Sequence, residues 1–334
     1  MTKPAAALSL DLDNRWSYLK THGDPEWESF PSYFDRLLPL VLDLLDELRL
    51  KITFFVVGQD AALEKNKSAL REIPARGHDI GNHSFRHEPW LSAYSPGDIL
   101  REVRDAARAI ADATGRTPSG FRGPGFSWSP ALVEVLADEG YLYDATTLPT
   151  FLGPLGRLYY FAKSGLSGED RKRRKDLYGN LRDGFRPLRP YLWQTPSRKR
   201  LLEIPVTTLP LLKTPFHLSY LIYIGRYSPE LMDAYLRTAV RLCRFAGAGL
   251  SFLLHPLDFL GPEDAPGLSF FPGMDLPRER KLGFFRQAIA TIARDFDIVD
   301  MATYARTLGA RRGRLTVRET APRPPVRRPR GGPA

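Results

Sequence analysis

The sequence has little of three features that mark large classes of protein. Its single cysteine, Cys243, allows no internal disulfide, which agrees with a reducing compartment. No apolar run approaches the roughly 20 residues that a transmembrane helix requires. The first 16 residues, MTKPAAALSLDLDNRW, lack the apolar core and the cleavage site of a signal peptide. Together these absences predict a cytoplasmic protein.

Positive charge is plentiful but is concentrated at one end of the chain. The formal net charge is +10 over 334 residues, and residues 311–334 hold eight arginines against one glutamate in a segment rich in proline and glycine. Such a segment has almost nothing to bury, so we expect 311–334 to be disordered, as a solubilising tail or as a contact for an anionic membrane. Because little excess charge remains elsewhere, no nucleic-acid partner is expected.

Strand-like and helix-like segments alternate along most of the chain. ALSLDL (7–12), KITFFVVG (51–58) and LSFLLHP (250–256) have the pattern of buried strands. SPGDILREVRDAARAIADATG (95–115) and SPALVEVLADEG (129–140) are predicted helices that begin with Ser-Pro and end with Gly. The alternation predicts parallel β/α units in one α/β domain over residues 1–310. The order breaks over residues 151–200, which we interpret as a basic and aromatic insert near the active site.

Polar residues recur at the carboxyl ends of the predicted strands, where parallel α/β folds have their active sites. They are Asp11, Asp13, His83, His87, Arg122, Asp144, His255 and Asp258. His83 and His87 are four residues apart, so we expect them on one face of a helical turn. Either His-x-x-x-His or Asp-x-Asp alone is a weak signal. A carboxylate with two imidazoles suits a divalent ion, and we hypothesise that Asp13, His83 and His87 bind one.

Five short motifs occur in order and resemble those of the polysaccharide deacetylases of the NodB-homology type, similar to carbohydrate esterase family 4. They are SLDLDN (9–14), HSFRH (83–87), FRGPGF (121–126), YDATT (143–147) and FLLHPLDF (252–259). The resemblance implies a distorted (β/α) barrel of about seven strands and hydrolysis of an amide, or less often an ester, with one divalent metal. Zinc is the favoured metal, while cobalt, nickel, manganese and iron also suit these ligands.

The resemblance assigns the direct chemical roles to five residues. Asp13, His83 and His87 would hold the metal. Asp11 would be the general base that takes a proton from the attacking water, and His255 would be the general acid that protonates the departing amine.

Three further motif residues would support these groups. By the resemblance, Arg122 would orient the carboxylate of Asp11, and Asp144 would support His255 or its surroundings. Asp258, three residues after His255, could fix the tautomer of that imidazole or raise its pKa.

Residues beside the motifs are candidates for contact with a substrate. Trp16 and Trp128 each follow a motif closely, so each could stack on a sugar ring or simply pack in the protein. Pro124 lies within the third motif and is also a candidate. His78 is interpreted as ending a loop between a helix and a strand, and His217 as structural.

The substrate class rests on local similarities. Leu12 separates the two aspartates of the first motif, and this Asp-x-Asp spacing resembles a subgroup with intracellular members. EIPVTTLP (203–210) is similar to a segment of relatives that remove a formyl group from a lipid-linked amino sugar. We therefore favour an N-acetyl or N-formyl amino sugar of a glycolipid or surface-polysaccharide precursor, with peripheral membrane contact through the insert or the tail.

Two other functions remain open. The same fold could hydrolyse a small non-sugar amide. A non-catalytic membrane or nucleic-acid binding protein is the third hypothesis, and the intact set of acid, base and metal ligands argues against it.

Overall fold

The computed structural model describes residues 3–153, 181–310 and 312–320. Ten strands are present within these ranges. They are β1 (Ala5–Leu12), β2 (Thr53–Val56), β3 (Asp79–Asn82), β4 (Gly120–Phe121), β5 (Tyr143–Asp144), β6 (Tyr191–Gln194), β7 (Arg200–Glu203), β8 (Leu250–Leu254), β9 (Asp297–Val299) and β10 (Val317–Glu319).

These strands form one sheet with the order β10-β6-β7-β5-β4-β3-β2-β1-β8, and β9 pairs with the first residues of β1. The seven neighbouring strands from β7 to β8 all run parallel, as the seven-strand prediction requires. Only β6 runs antiparallel to its neighbour β7. The carboxyl ends of the seven parallel strands therefore meet at one edge of the sheet.

Helices connect the strands in the described ranges. They are α1 (Arg15–His22), α2 (Phe34–Glu47), α3 (Gly58–Ala62), α4 (Glu64–Ala75), α5 (Pro96–Thr114), α6 (Pro130–Asp138), α7 (Leu218–Tyr227), α8 (Pro229–Phe245), α9 (Arg278–Asp295) and α10 (Met301–Gly309). The Ser-Pro starts are confirmed, because the hydroxyls of Ser95, Ser129 and Ser228 each accept a hydrogen bond from the backbone three residues later.

The two faces of β1 have different surroundings. Ala6, Leu8, Leu10 and Leu12 are fully buried in the large core that α2, α4, α5 and the helices α7 to α9 cover. The alternate positions point to the other face, where Ala7 packs in a smaller cluster with Phe55, Tyr143 and α10. Asp11 belongs to this second series. The period of two therefore directs its carboxylate away from the main core.

Two predicted boundaries are wrong. Tyr191–Gln194, inside the predicted insert, forms β6, so the sheet resumes about ten residues earlier than expected. Val317–Glu319, inside the predicted disordered tail, pairs with β6 as β10. The sequence reasoning missed β10 because its residues are exposed and its order comes from the ladder with β6 rather than from burial.

The remaining parts of both segments, 154–180 and 321–334, lie outside the described residues, and with them the basic run RKRRKD (171–176). No helix in the described ranges combines the length and the apolar character needed to cross a lipid bilayer.

Candidate active site

The two histidines of the second motif lie in a loop, and the predicted helical turn is wrong. His83 directly follows β3, and residues 83–88 form no helix. Ser84 and His87 have positive φ angles of 62° and 53°, which an α-helix does not contain. The bend still brings the two imidazole rings together, with centroids 5.1 Å apart.

Backbone contacts carry this loop across β2, which separates β3 from β1 in the sheet. The amides of Gly58 and Gln59 donate to the carbonyls of Ser84 and Phe85, both at 2.9 Å. Gly58 permits the close approach, because a Cβ there would lie 2.6 Å from Cα of Ala106 and 2.7 Å from the Phe85 ring. The histidines therefore reach the end of β1 by passing over the shorter strand between them.

A buried carboxylate binds the backbone of the loop that carries the two histidines. Glu102 on α5 is buried, and its Oε2 accepts hydrogen bonds from the amides of Phe85 at 3.0 Å and Arg86 at 2.9 Å. Asn82 adds a third contact, since its Oδ1 accepts from the amide of Ser84. These bonds satisfy the backbone of the loop and hold its shape.

Asp13, His83 and His87 come together at the end of β1. Their ligand atoms all lie within 4.8 Å of one another. Oδ1 of Asp13 lies 2.9 Å from Nε2 of His87 and 3.4 Å from Nε2 of His83. This atom is buried and has no hydrogen-bond partner among the described residues. The structure thus assembles the three residues that the sequence proposed as ligands.

The chemistry of this set fits a divalent cation. Nδ1 of His83 lies 2.7 Å from the carbonyl of Arg122, which can only accept, so Nδ1 carries the hydrogen and the lone pair is on Nε2 toward Asp13. Burial opposes charge, yet the carboxylates of Asp11 and Asp13 raise the pKa of His83. Burial would likewise raise the pKa of Asp13, but the two imidazoles hold it well below its usual range. The negative potential of these carboxylates, which favours a protonated imidazole here, also favours a bound metal ion.

Asp11 lies beside this cluster and is held by Arg122. Nη1 of Arg122 donates to Oδ1 of Asp11 at 2.6 Å and to Ser9 at 2.9 Å, and Nε donates to the carbonyl of Ala145 at 3.0 Å. The guanidinium is fully buried over the Phe55 ring. The other oxygen, Oδ2, lies 3.9 Å from Nε2 of His83. Arg122 therefore has the contact expected of a residue that orients Asp11.

His255 follows β8, and its imidazole has a partner that the sequence did not suggest. Its Nδ1 lies 3.1 Å from the hydroxyl of Ser219 at the start of α7. Asp258 accepts from the backbone amide of His255 at 2.8 Å, so the expected contact between this carboxylate and the imidazole is not direct. The ring of His217 lies 5.7 Å from that of His255.

Asp144 makes no hydrogen bond to His255 among the described residues, so it does not support that imidazole directly. Its Oδ1 accepts from the amide of Thr146 at 3.1 Å and from the hydroxyl of the same residue at 2.5 Å. In the sheet it pairs with Glu203, which accepts from Thr147 and Trp193. Burial and the neighbouring carboxylate raise the pKa of Asp144 well above its usual value. The two buried carboxyls on neighbouring strands thus oppose each other's ionisation.

The predicted sugar-stacking residues are mostly packed. Trp16 is 1% exposed and donates to Asp60 at 2.9 Å, so its ring cannot offer a face to a substrate. Trp128 is half-buried between Trp193, at a centroid distance of 4.9 Å, and the guanidinium of Arg186. Pro124 is buried at the start of a short 3-10 turn. Trp16 therefore packs in the protein and does not contact a substrate, and the contacts of Trp128 also favour a packing role.

Sequence reasoning missed four residues near the site. Glu203 ends a strand and would have been found by the rule that found Asp144. Glu102 is a charged residue on the apolar face of its helix, which is itself a signal. Ser219 and Tyr18 had no such signal. The hydroxyl of Tyr18 is buried without a partner among the described residues, and burial followed by the charge of nearby Asp13 raises its pKa.

Part of the chain is similar to known proteins. A family model described as polysaccharide deacetylase matches residues 28–143, a range that includes His83, His87 and Arg122. This matched stretch resembles a polysaccharide deacetylase domain of the NodB-homology type. The first and fifth sequence motifs, with Asp11, Asp13 and His255, lie outside the matched range. The structure places Asp11 and Asp13 beside His83, which lies inside that range.

Two curated relatives show the extent of the similarity. The chain is 37% identical over 103 residues to a chitooligosaccharide deacetylase of Sinorhizobium fredii, which corresponds to 30% of this chain and 46% of that protein. It is 27% identical over 147 residues to a peptidoglycan deacetylase of Helicobacter pylori, which corresponds to 41% of this chain and 47% of that protein. The matches thus span just under half the length of either relative.

The fold has a solved counterpart. A crystal structure of a Mycobacterium smegmatis protein classed with the polysaccharide deacetylases superposes with a TM-score of 0.58 over 97% of this chain and 99% of that one. The sequence identity is 19%, so the comparison concerns the fold alone. It confirms the predicted α/β fold of the deacetylase type.

Proposed function

We propose that this protein is a metal-dependent hydrolase that removes an N-acyl group, acetyl or formyl, from an amino sugar. The observation that carries the proposal is the position of Asp11. Its carboxylate is fixed by the fully buried Arg122 and lies 3.9 Å from His83, at the edge of a cluster of potential metal ligands. A base so held beside a cation site is arranged for the activation of water.

Asp13, His83 and His87 would hold the metal, with zinc our first choice and cobalt, nickel, manganese or iron as alternatives. When bound, such an ion supplies Lewis acidity toward the scissile carbonyl and the attacking water. Because Nδ1 of His83 is tied to the carbonyl of Arg122, this ligand is presented in the correct tautomer before any metal arrives.

The residues of the chain divide the proton transfers between two strands. Asp11 on β1 accepts the proton of the attacking water, and the bond from Arg122 keeps its carboxylate oriented while the charge changes. His255, which follows β8, donates a proton to the departing nitrogen. Without that proton the nitrogen would have to leave as an amide anion, which is a poor leaving group. Since β1 and β8 are hydrogen-bonded neighbours, the two groups act on one substrate position from adjacent strands.

We further propose that the amino sugar belongs to a glycolipid or surface-polysaccharide precursor at the cytoplasmic face of a membrane. An apolar groove of about 650 Å³ supports this proposal, and Leu212, Tyr220, Ile224, Leu231 and Tyr235 contribute to its wall. Leu212 and Leu231 are 67% and 61% exposed. Tyr220 packs edge-on against His217, whose ring is 5.7 Å from that of His255, so the groove leads toward the proposed acid. Apolar surface of this kind suits a lipid carrier.

The reaction is tested by release of free amine. Matched N-acetyl and N-formyl amino sugars are presented as sugar nucleotides, as polyprenyl phosphates and as short oligosaccharides, with and without a chelator. We expect chelator-sensitive release that Asp11→Asn abolishes while bound metal, counted by elemental analysis, is unchanged. Absence of release from every substrate by a protein with stoichiometric metal would overturn the sugar proposal and move a small non-sugar amide to first place.

The carrier is tested separately with groove variants. Leu212→Ser and Leu231→Ser are expected to raise KM about tenfold for the polyprenyl-linked substrate and to leave KM for the soluble sugar unchanged. Phe245→Ser is the matched control, because Phe245 is 94% exposed on α8 but does not line the groove. Equal KM values for all three variants on the lipid-linked substrate would contradict the proposed carrier.

A further inference from the structure

The loop that carries the two histidines, residues 83–88, has a strained backbone at one of them. This segment is called the histidine loop below. His87 has a φ angle of 53°, in the left-handed region that residues with a Cβ seldom adopt. Such a conformation costs free energy and persists only where the surrounding structure holds it. The contacts around His87 therefore determine how well this ligand is presented before a metal arrives.

Lys20 contacts the chain on both sides of His87. Its Nζ donates to the carbonyl of Arg86 at 3.2 Å and to Oε1 of Glu88 at 2.6 Å. The side chains of Lys20 and Glu88 are only 18% and 10% exposed, so solvent screens this ion pair less than it screens a surface pair. One ammonium group thus binds both the residue before the ligand and the residue after it.

The same face of α1 reaches the imidazole itself. Trp16 lies one turn before Lys20, and its ring is nearly perpendicular to that of His87 at a centroid distance of 6.4 Å. Nζ of Lys20 lies 5.7 Å from the centroid of the Trp16 ring and 5.0 Å from that of Trp27. Both distances are within the range of a cation–π contact, so the two indoles help to fix the ammonium group.

Helix α1 also follows directly from the segment that carries the carboxylate ligand. Asn14, which caps the helix, is the residue after Asp13. Asp13 therefore adjoins the first turn of α1, while Lys20 in the second turn holds the histidine loop. From α5, Glu102 accepts from the amide of the same Arg86 whose carbonyl Lys20 binds. Two helices thus bind both backbone polar groups of the residue that precedes His87.

We propose that Lys20 is a positioning residue that joins α1 to the histidine loop and fixes His87 relative to Asp13 for metal binding. This role rests on the proposed metal site. Lys20 can affect a bound metal in two ways that have opposite signs. A nearby cation repels the metal, so removal of the charge alone would raise the affinity. Removal of a contact that orients a ligand lowers the affinity instead.

The zinc affinity of Lys20→Met gives this sign. Methionine keeps much of the apolar length of lysine but loses the charge and the hydrogen-bond donors. We expect the Kd for zinc, measured by chelator competition on the metal-free protein, to rise about tenfold, as is typical for loss of a group that orients a metal ligand. Lys20→Arg keeps the charge and the donors and should recover most of the affinity. Lys199→Met is the matched control, because Lys199 pairs with Asp138 at 2.7 Å at the amino end of β7.

Two further measurements separate positioning from a general loss of stability. The visible absorption of bound cobalt reports the coordination geometry, and in Lys20→Met it should shift toward that of His87→Ala. Hydrogen exchange on the metal-free protein should be faster in the histidine loop of Lys20→Met, while strand β2 keeps its protection. Neither change is expected in Lys199→Met.

An equal or higher zinc affinity in folded Lys20→Met would overturn the proposal, as would unchanged exchange in the histidine loop. If Lys20→Met fails to fold, Lys20→Gln, which is also neutral, is measured instead, and the sign of its effect on zinc affinity decides. A wild-type protein that binds zinc more tightly than Lys20→Met but releases no amine would overturn the proposed reaction and leave the role of Lys20 standing. A wild-type protein that binds neither zinc nor cobalt would overturn both.

Discussion

Single residues in this site depend on partners that satisfy their charge. Arg122 shows this most clearly, since three acceptors surround a guanidinium that has no exposure to solvent. An arginine can serve several acceptors at once because its donors are fixed in a planar fork, which a lysine lacks. Residues of this kind have two roles, because they orient a reactive neighbour and make its burial tolerable.

Arg122→Met should therefore destabilise the protein through Asp11. The variant leaves a buried carboxylate without its cation, and breaking a buried pair in this way costs about 3–5 kcal/mol. The free energy of unfolding is measured by urea denaturation in the presence of chelator. The double variant Arg122→Met with Asp11→Asn should recover part of the loss, because no lone charge remains. A single variant within about 1 kcal/mol of wild type would contradict this account.

His78 illustrates a titrating group outside the site. It is 5% exposed, and its Nδ1 accepts from the amide of Ile52 at 3.2 Å. Burial, followed by the charge of Lys51, lowers the pKa of His78 from 6.5 to about 4. The unfolded chain thus binds a proton more readily than the folded one, so protonation favours unfolding.

This shift predicts a pH-dependent stability. Neutral His78 makes its full contribution to the free energy of unfolding above pH 6.5, and this contribution is lost as the pH falls toward 4. The loss is at most about 3 kcal/mol, since one pKa unit corresponds to about 1.4 kcal/mol. Urea denaturation of wild type and His78→Asn at pH 7.5 and pH 4.5 isolates the effect, because groups common to both proteins cancel. A difference between the two proteins that does not change with pH would exclude it.

At the scale of elements, the site depends on how loops cross strands. The histidine loop passes over the end of β2 only because Gly58 at the start of α3 leaves room for it. Helix α5 then supplies both the wall, at Ala106, and the carboxylate of Glu102 that holds the loop backbone. Strand β2 and helices α3 and α5 therefore shape one metal-ligand loop.

Gly58→Ala is expected to weaken metal binding. A Cβ at this position would overlap backbone atoms of α5, so the histidine loop must move. We expect a loss of about tenfold in zinc affinity by competition titration and a destabilisation of about 1–3 kcal/mol. Gly283→Ala is the matched control, since a Cβ there meets nothing within 4 Å and should stabilise α9 by about 1 kcal/mol. Equal zinc affinities in the two variants would show that the glycine is not needed.

At the scale of the whole molecule, a single sheet joins distant parts of the chain. β1 pairs with β2, β8 and β9, so the first described strand contacts segments from both halves of the sequence. The other edge is formed by β6 and β10, which extend the sheet beyond the seven parallel strands. Residues near the end of the chain thus take part in the fold.

Truncation tests that contribution. A chain that ends at residue 320 keeps β10 and is the reference for this measurement. Ending the chain at residue 314 removes the bonds from Leu192 to Thr316 and from Thr320 to Gln194, together with the ladder between them. A typical hydrogen bond contributes about 0.5–1.5 kcal/mol. We therefore expect the free energy of unfolding, measured by urea denaturation, to fall by about 1–3 kcal/mol. Identical midpoints for the two truncations would show that β10 adds nothing.

The sequence by itself determined most of the parallel strands and the Ser-Pro helix starts, because these follow from local periodicity and from residue type, but it did not reveal β6 or β10. Asp13, His83 and His87 come together as the residue types suggested, and Arg122 holds Asp11 as the resemblance to the deacetylases implied. The tertiary structure alone decided the loop conformation at His83, the pairing of Asp144 with Glu203 and the contact of His255 with Ser219. Each of these depends on which strands are neighbours and on the space between their side chains, and no local pattern contains that information.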